Sequence, residues 1–283
     1  MKPVFFDNKN QRQLYGVHHS PRSKKSTPRA IVFCPPLGQE YIRTHWACKL
    51  LAKQLARGGA HVLRFDWSGH GNSAGNIDET LSLQQWIDDI GQAVDWVRKE
   101  SEADSVMLIG QRFGATLAAL AAEQRQDVYS LVAWEPVVDG TKYLQGLRFM
   151  HARLVDLWMS KTSTRNDDEL EEILGFQFSR ELLNEIEQTK LDFGELYLPQ
   201  LIVDLKSSNQ SYSHIEPSLQ RTILTDDEMA WEQLLTLETA CLRPETTRTI
   251  VKTVAEMFER LERAATLAGQ QSQQVVELSL IHI

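Results

Sequence analysis

The sequence predicts an α/β protein, a mostly parallel central sheet flanked by helices, and three observations carry that prediction. Between Ala30 and Trp134 short continuous apolar runs alternate with amphipathic stretches of roughly 12–20 residues, the rhythm of βαβ units. The stretch Ser105–Leu120 reads as a buried strand, a sharp turn flanked by Gly110 and Gly114, and a helix of small residues. A turn-rich loop, Asp66-Trp67-Ser68-Gly69-His70-Gly71-Asn72-Ser73, follows another apolar run at 60–65.

Taken in order, residues 1–20 read as an opening hairpin, with Val4-Phe5-Phe6 and Gln13 to Val17 as its strands. Ser20 to Arg29 is basic and rich in Pro and Ser, the composition of a solvated turn. Ala30 to Cys34 is wholly apolar, as in a strand covered on both faces, and stops at Pro35-Pro36. Trp46, Leu50, Leu51 and Leu55 predict a helix over 44–57, ended by Gly58-Gly59. A second helix is predicted over 80–99 from Leu83, Trp86, Ile87, Ile90, Val94 and Val97, and a strand over Leu131 to Trp134. From 141 to about 192 the pattern is helical with no strand, so the single domain 1–283 is expected to carry a helical cap over 141–195. Strands return at Leu201–Leu205 and Thr222–Leu224, followed by helices from Asp227 to Leu267 broken at Pro244. Residues 269–283 read as a loose tail. Its end, Leu278 to Ile283, resembles read-through from a vector, so His282 is not a site candidate.

Composition is ordinary for a globular protein, 42% hydrophobic and 24% charged, with a net charge of −8 that disfavours nucleic acid or an anionic membrane surface as partner. Cys34, Cys48 and Cys241 are odd in number and lack metal-ligand spacing, which fits a reducing cytoplasm and predicts neither metal nor cofactor. No signal peptide is expected, and no apolar run reaches the ~18 residues of a membrane span.

The segment Gly110-Gln111-Arg112-Phe113-Gly114 has the shape of the Gly-x-Ser-x-Gly nucleophile elbow. With the Asp-x-x-Gly-His-Gly-x-Ser loop at Asp66–Ser73 about 40 residues earlier, it resembles the α/β-hydrolase superfamily, in its serine aminopeptidase-like branch. Within it, Pro35-Pro36 with Glu40 and Thr44, Gly110-x-Arg112-x-Gly114-Ala115, and Trp134-Glu135-Pro136-Val137 resemble the exosortase A system-associated hydrolase 2 group, in which Arg at the elbow would be a family trait.

The resemblance implies a Ser, an acid and a His, and each slot reads as empty. The nucleophile slot holds Arg112, whose guanidinium has no lone pair to attack with. Lys206-Ser207-Ser208-Asn209 stands where the acid should follow its strand, with Asp204 expected to remain inside that strand. No His follows Leu224 in time, and His214 precedes that strand. Pro36 lacks an N–H, so an oxyanion donor would have to come from Leu37 or Gly38.

Two expectations follow for Arg112. At a helix N-terminus it would hold an anionic small molecule or a partner's carboxylate, with Glu40, Glu135, Gln111, Leu37 and Gly38 around it. Alternatively Glu40 or Glu135 closes a buried ion pair with it and makes it an internal strut. His70 and Ser73 are expected to be partners within the turn, and Ser68 and Cys34 to be catalytic only in an unorthodox ester or thioester hydrolase. His45 and His61 read as surface or helix-edge residues. A homodimer, or a structural subunit pairing with an active hydrolase, stays open.

Overall fold

A computed structural model describes the chain except for residues 8–11, 23–27, 77–81, 159–168, 209, 211, 213–219, 228–242 and 281–283. The strands are β1 (Lys2–Asp7), β2 (Gln13–His19), β3 (Ala30–Cys34), β4 (His61–Phe65), β5 (Val106–Gln111), β6 (Val128–Trp134), β7 (Leu170–Ile173), β8 (Phe176–Ser179), β9 (Gln200–Leu205) and β10 (Gln220–Thr225). The helices are α1 (Gly38–Arg57), α2 (Leu83–Ser101), α3 (Phe113–Glu123), α4 (Gly140–Trp158), α5 (Arg180–Gln188) and α6 (Pro244–Leu280).

Eight strands form one sheet in the order β1-β2-β4-β3-β5-β6-β9-β10, antiparallel at β1–β2 and β2–β4 and parallel elsewhere. The unbroken apolar runs make sense in this setting. Ile31 and Phe33 of β3 pack with Leu51 and Leu55 of α1 on one face, while Val32 and Cys34 pack with Trp86 and Val94 of α2 on the other. Alternation is present but invisible in the sequence, because both faces are covered. Among the described residues no helix is long and apolar enough to cross a membrane.

Three segments differ from the sequence expectation. α1 starts at Gly38, not at 44, because the chain turns directly out of Pro35-Pro36 with Gly38 at φ 52°. The insertion after β6 is helical in α4 and α5 but also holds the antiparallel hairpin β7–β8, turned at Leu174-Gly175. The strands are only four residues each, too short for alternation to register. The segment from 269, read as a loose tail, continues α6 as helix to Leu280.

The two helices of the insertion are held together at their ends, and α5 is tied to the main body. Gly140 N–H donates to Thr189 O at 2.9 Å, and a Cβ at Gly140 would lie 1.7 Å from Ile186 O, so α4 can approach α5 only through glycine. Glu185 of α5 accepts from Leu83 N–H at 2.8 Å, placing a carboxylate on the N-terminus of α2, the end that favours negative charge.

Three histidines are buried and held neutral. Burial lowers His18 to about 4, helped by His61. Burial and then Arg64 lower His19 to about 4, and burial lowers His70 to about 4. In the unfolded chain each would take up a proton near 6.5, so the unfolded state binds more protons between pH 6.5 and 4. Stability is therefore expected to be full above pH 6.5 and to fall as pH drops through that window. Each residue contributes on the order of 1–3 kcal/mol. Denaturation midpoints at pH 7.5, 6 and 4.5 measure this, and a flat profile would contradict it.

Candidate functional site

The site is built at the turn from β5 into α3. Arg112 caps α3 with φ 53° and ψ −127°, a backbone that costs a non-glycine residue about 1–3 kcal/mol. The turn leaves no room on either side. A Cβ at Gly110 would lie 2.3 Å from Ala115 Cα, and one at Gly114 would lie 2.2 Å from Pro35 O. Neighbouring backbone holds it in place: Arg112 N–H donates to Trp134 O at 3.0 Å, and Ala115 N–H donates to Arg112 O at 3.0 Å.

The guanidinium is already engaged. Arg112 Nε donates to Glu40 Oε1 at 2.9 Å, Tyr143 Oη donates to Glu40 Oε2 at 2.9 Å, and Arg112 Nη1 is 3.5 Å from Glu135 O. The Arg112 side chain is 16% exposed and that of Glu40 5%. Burial works to lower the basicity of Arg112, but Glu40 and Glu135 outweigh it and hold the group above its ordinary value. Burial and then Glu40 raise Tyr143 well above the usual phenol, keeping it a donor. The Glu135 carboxylate accepts from Trp134 Nε1 at 3.0 Å and lies 3.6 Å from Arg243 Nη2. Of the two predicted strut partners, Glu40 meets Arg112 directly through its carboxylate, and Glu135 adds to the negative charge around the guanidinium.

Arg112, Glu40 and Glu135 line a cleft of about 670 Å³, walled by Tyr143 and Leu147 of α4 and by the loop after β9. Asp204 also lines it. Asp204 is inside β9, as the sequence suggested, yet it is the penultimate residue, 2% exposed, and its Oδ2 accepts from Tyr212 Oη at 2.5 Å. Sequence reasoning placed Asp204 in its strand without making it a site candidate, and it did not single out Tyr143 or Tyr212. The usable signal was an acid one residue from the end of an otherwise apolar strand, since strands of a parallel sheet deliver side chains at their C-terminal ends. None of the described residues lining the cleft is a histidine, and residues 226–242 contain none in the sequence.

The other candidates are placed apart from the cleft. Gln111 is fully buried beside α1, where its Oε1 accepts from Cys48 Sγ at 3.3 Å; alternation along β5 points it away from the cleft. Leu37 and Gly38 border a narrow apolar cavity of about 20 Å³ with Phe178 and Ile186 of the insertion. Ser73 Oγ donates to Asp66 O at 2.6 Å and accepts from Tyr15 N–H at 2.9 Å. His70 Nδ1 lies 3.4 Å from Ser68 O and its ring packs edge-on against Trp86. Ser68 Oγ donates to Asp89 Oδ1 at 3.0 Å. Cys34 is buried in the sheet, and burial pushes its thiol far above the usual range. His61 stacks on His18, and His45 lies beside Tyr41 on α1. His214 lies outside the described residues. Among those described, no group of three His, Cys, Asp or Glu could hold a metal ion.

Residues 27–270 match the family of serine aminopeptidase S33 hydrolases. The chain belongs to that family. A stretch of 104 residues is 30% identical to the monoglyceride lipase of Rattus norvegicus, covering 37% of this chain and about a third (33%) of the lipase. The fold is similar to that of Est1E from Butyrivibrio proteoclasticus, solved with ferulic acid bound, at 19% identity and a TM-score of 0.58 over 93% of this chain and 99% of that one. It is also similar to a Pyrococcus furiosus esterase, at 17% identity and a TM-score of 0.57 over 92% and 91%. This S33 chain thus has an α/β-hydrolase fold, with Arg112 at the turn from β5 into α3.

Proposed function

We propose that this S33-family chain binds a small molecule through a single carboxylate group at Arg112 and does not carry out Ser–His–Asp acyl transfer. The observation that carries the reading is Arg112 itself, lining the cleft from the strained elbow where the fold presents its nucleophile. Glu40 orients the guanidinium through Nε, as a bidentate donor is best held. The neighbouring carboxylates limit the ligand: Glu40 and Asp204 line the same cleft, so a monoanion suits it better than a dianion such as phosphate. The insertion 141–195, whose α4 walls the cleft, would act as its lid. The motifs at Pro35-Pro36, Gly110–Gly114 and Trp134–Val137 support placing the chain in the exosortase A system-associated hydrolase 2 group.

Calorimetry with a panel of monocarboxylates tests the reading. Arg112→Ala is expected to lower affinity for the best ligand at least about tenfold, the worth of one charge-assisted pair. Unchanged affinity for every acid tested would overturn it.

A second reading, hydrolysis of an ester or thioester by a different set of residues, draws on Asp204 in the acid position with Ser207 and Ser208 on the same cleft. Turnover of p-nitrophenyl and thioester substrates that survives Arg112→Ala and is lost in Asp204→Asn would favour it.

A further inference from the structure

A second cavity, of about 290 Å³, lies between α1 and strands β2 and β4 and shares no lining residue with the Arg112 cleft. Its floor is Arg64 of β4, whose side chain is only 8% exposed. Arg64 Nε donates to His19 Nε2 at 3.3 Å, and among the described residues no carboxylate lies within 4 Å of the guanidinium. His19 is held neutral by burial and by Arg64, so it accepts from that cation without balancing it.

The cavity's acidic residue, Asp66, is committed elsewhere: Oδ1 accepts from Tyr41 Oη at 2.6 Å and Oδ2 from Asn72 N–H at 3.0 Å. Lys49 adds a second positive charge to the lining. Burial lowers the basicity of Arg64, and the surrounding acids do not restore it. Arg112 is the contrast within the same molecule, buried but met by Glu40. Asp66 acts on Arg64 only from a distance, and a buried guanidinium with no carboxylate in contact is costly, a cost that an incoming anion would recover.

We propose that this cavity is a binding site for a small oxyanion, a carboxylate or phosphate group, with Arg64 as its bidentate anchor. The guanidinium fork matches either group, and Tyr15, Phe33 and Tyr41 on the walls suit a flat apolar body attached to it. The site is independent of the Arg112 reading.

Calorimetry with benzoate and with inorganic phosphate, on the wild type, Arg64→Gln and Arg112→Ala, separates the two sites and the two chemistries. Expected is binding of at least one probe that weakens tenfold or more in Arg64→Gln and stays within twofold in Arg112→Ala. Benzoate alone would assign a carboxylate ligand, phosphate alone a phosphate. Binding of neither probe overturns the proposal. So does loss only in Arg112→Ala, which would leave the Arg112 reading standing. Should Arg64→Gln fail to fold, a 4-bromobenzoate or phosphate soak of wild-type crystals decides: bromine or phosphate density beside Arg64 upholds the site, and its absence overturns it.

Discussion

Replacing Gly114 with Ala is expected to cost at least about 3 kcal/mol of stability, or to prevent folding. The added Cβ would sit 2.2 Å from Pro35 O and 2.5 Å from Cys34 O, and both obstacles are backbone at the end of a fully buried central strand. No side chain can rotate away to relieve the contact, so β3 or the start of α3 must move. Gly146→Ala in α4 is the matched control. Nothing lies within 4 Å of its Cβ position, and alanine in a helix is expected to be neutral or to add up to about 1 kcal/mol. Chemical denaturation of the two variants checks the contrast. Midpoints indistinguishable from each other would mean that the elbow is looser than its geometry indicates.

Glu40→Gln is the second large effect, expected to cost about 3–5 kcal/mol because it strands a buried guanidinium. The lower end fits better, since Arg112 is 16% exposed and water can soften the loss. Tyr143 should feel it too, because its hydroxyl donates to the same carboxylate. A double-mutant cycle gives the cleaner reading. Glu40→Leu with Arg112→Met removes both charges, and the pair should recover most of what either single change loses. Additivity within about 0.5 kcal/mol would show that the ion pair carries no weight. The cycle measures the strut, and the carboxylate titrations measure the ligand site. Both roles can belong to one residue, because Nε faces Glu40 while the side chain also lines the cleft.

How much of this was legible in the sequence depends on the range of the interactions involved. The order of strands and helices through β6 is written in local periodicity, and α1 was misplaced only at its start, where no cap residue marks Leu37. The hairpin β7–β8 was illegible because four-residue strands carry too few positions to show a period. The helical run of α6 past Gly269 was hidden by glutamines, which read as loose sequence yet rank among the better helix formers.

The site divides along the same line. Gly110, Arg112 and Gly114 are neighbours in the chain, so the tight turn between β5 and α3 and the Arg at its centre could be read from their spacing alone. Which carboxylate would meet Arg112 could not be read, since Glu40 is 72 residues away and Glu135 is 23. Strand alternation sent Gln111 to the opposite face, and packing brought the Glu135 carboxylate to Trp134 and Arg243, contacts that nothing local announces. The same holds for Arg64, one charge in an apolar run, whose lack of a carboxylate in ion-pair contact among the described residues emerges only once α1, β2 and β4 are packed together. Local spacing was enough to give the fold and to place Arg112 between Gly110 and Gly114, because both are written in neighbouring residues. The tertiary structure decided which charges are paired and which are not, because pairing depends on faces and distances between elements remote in the chain.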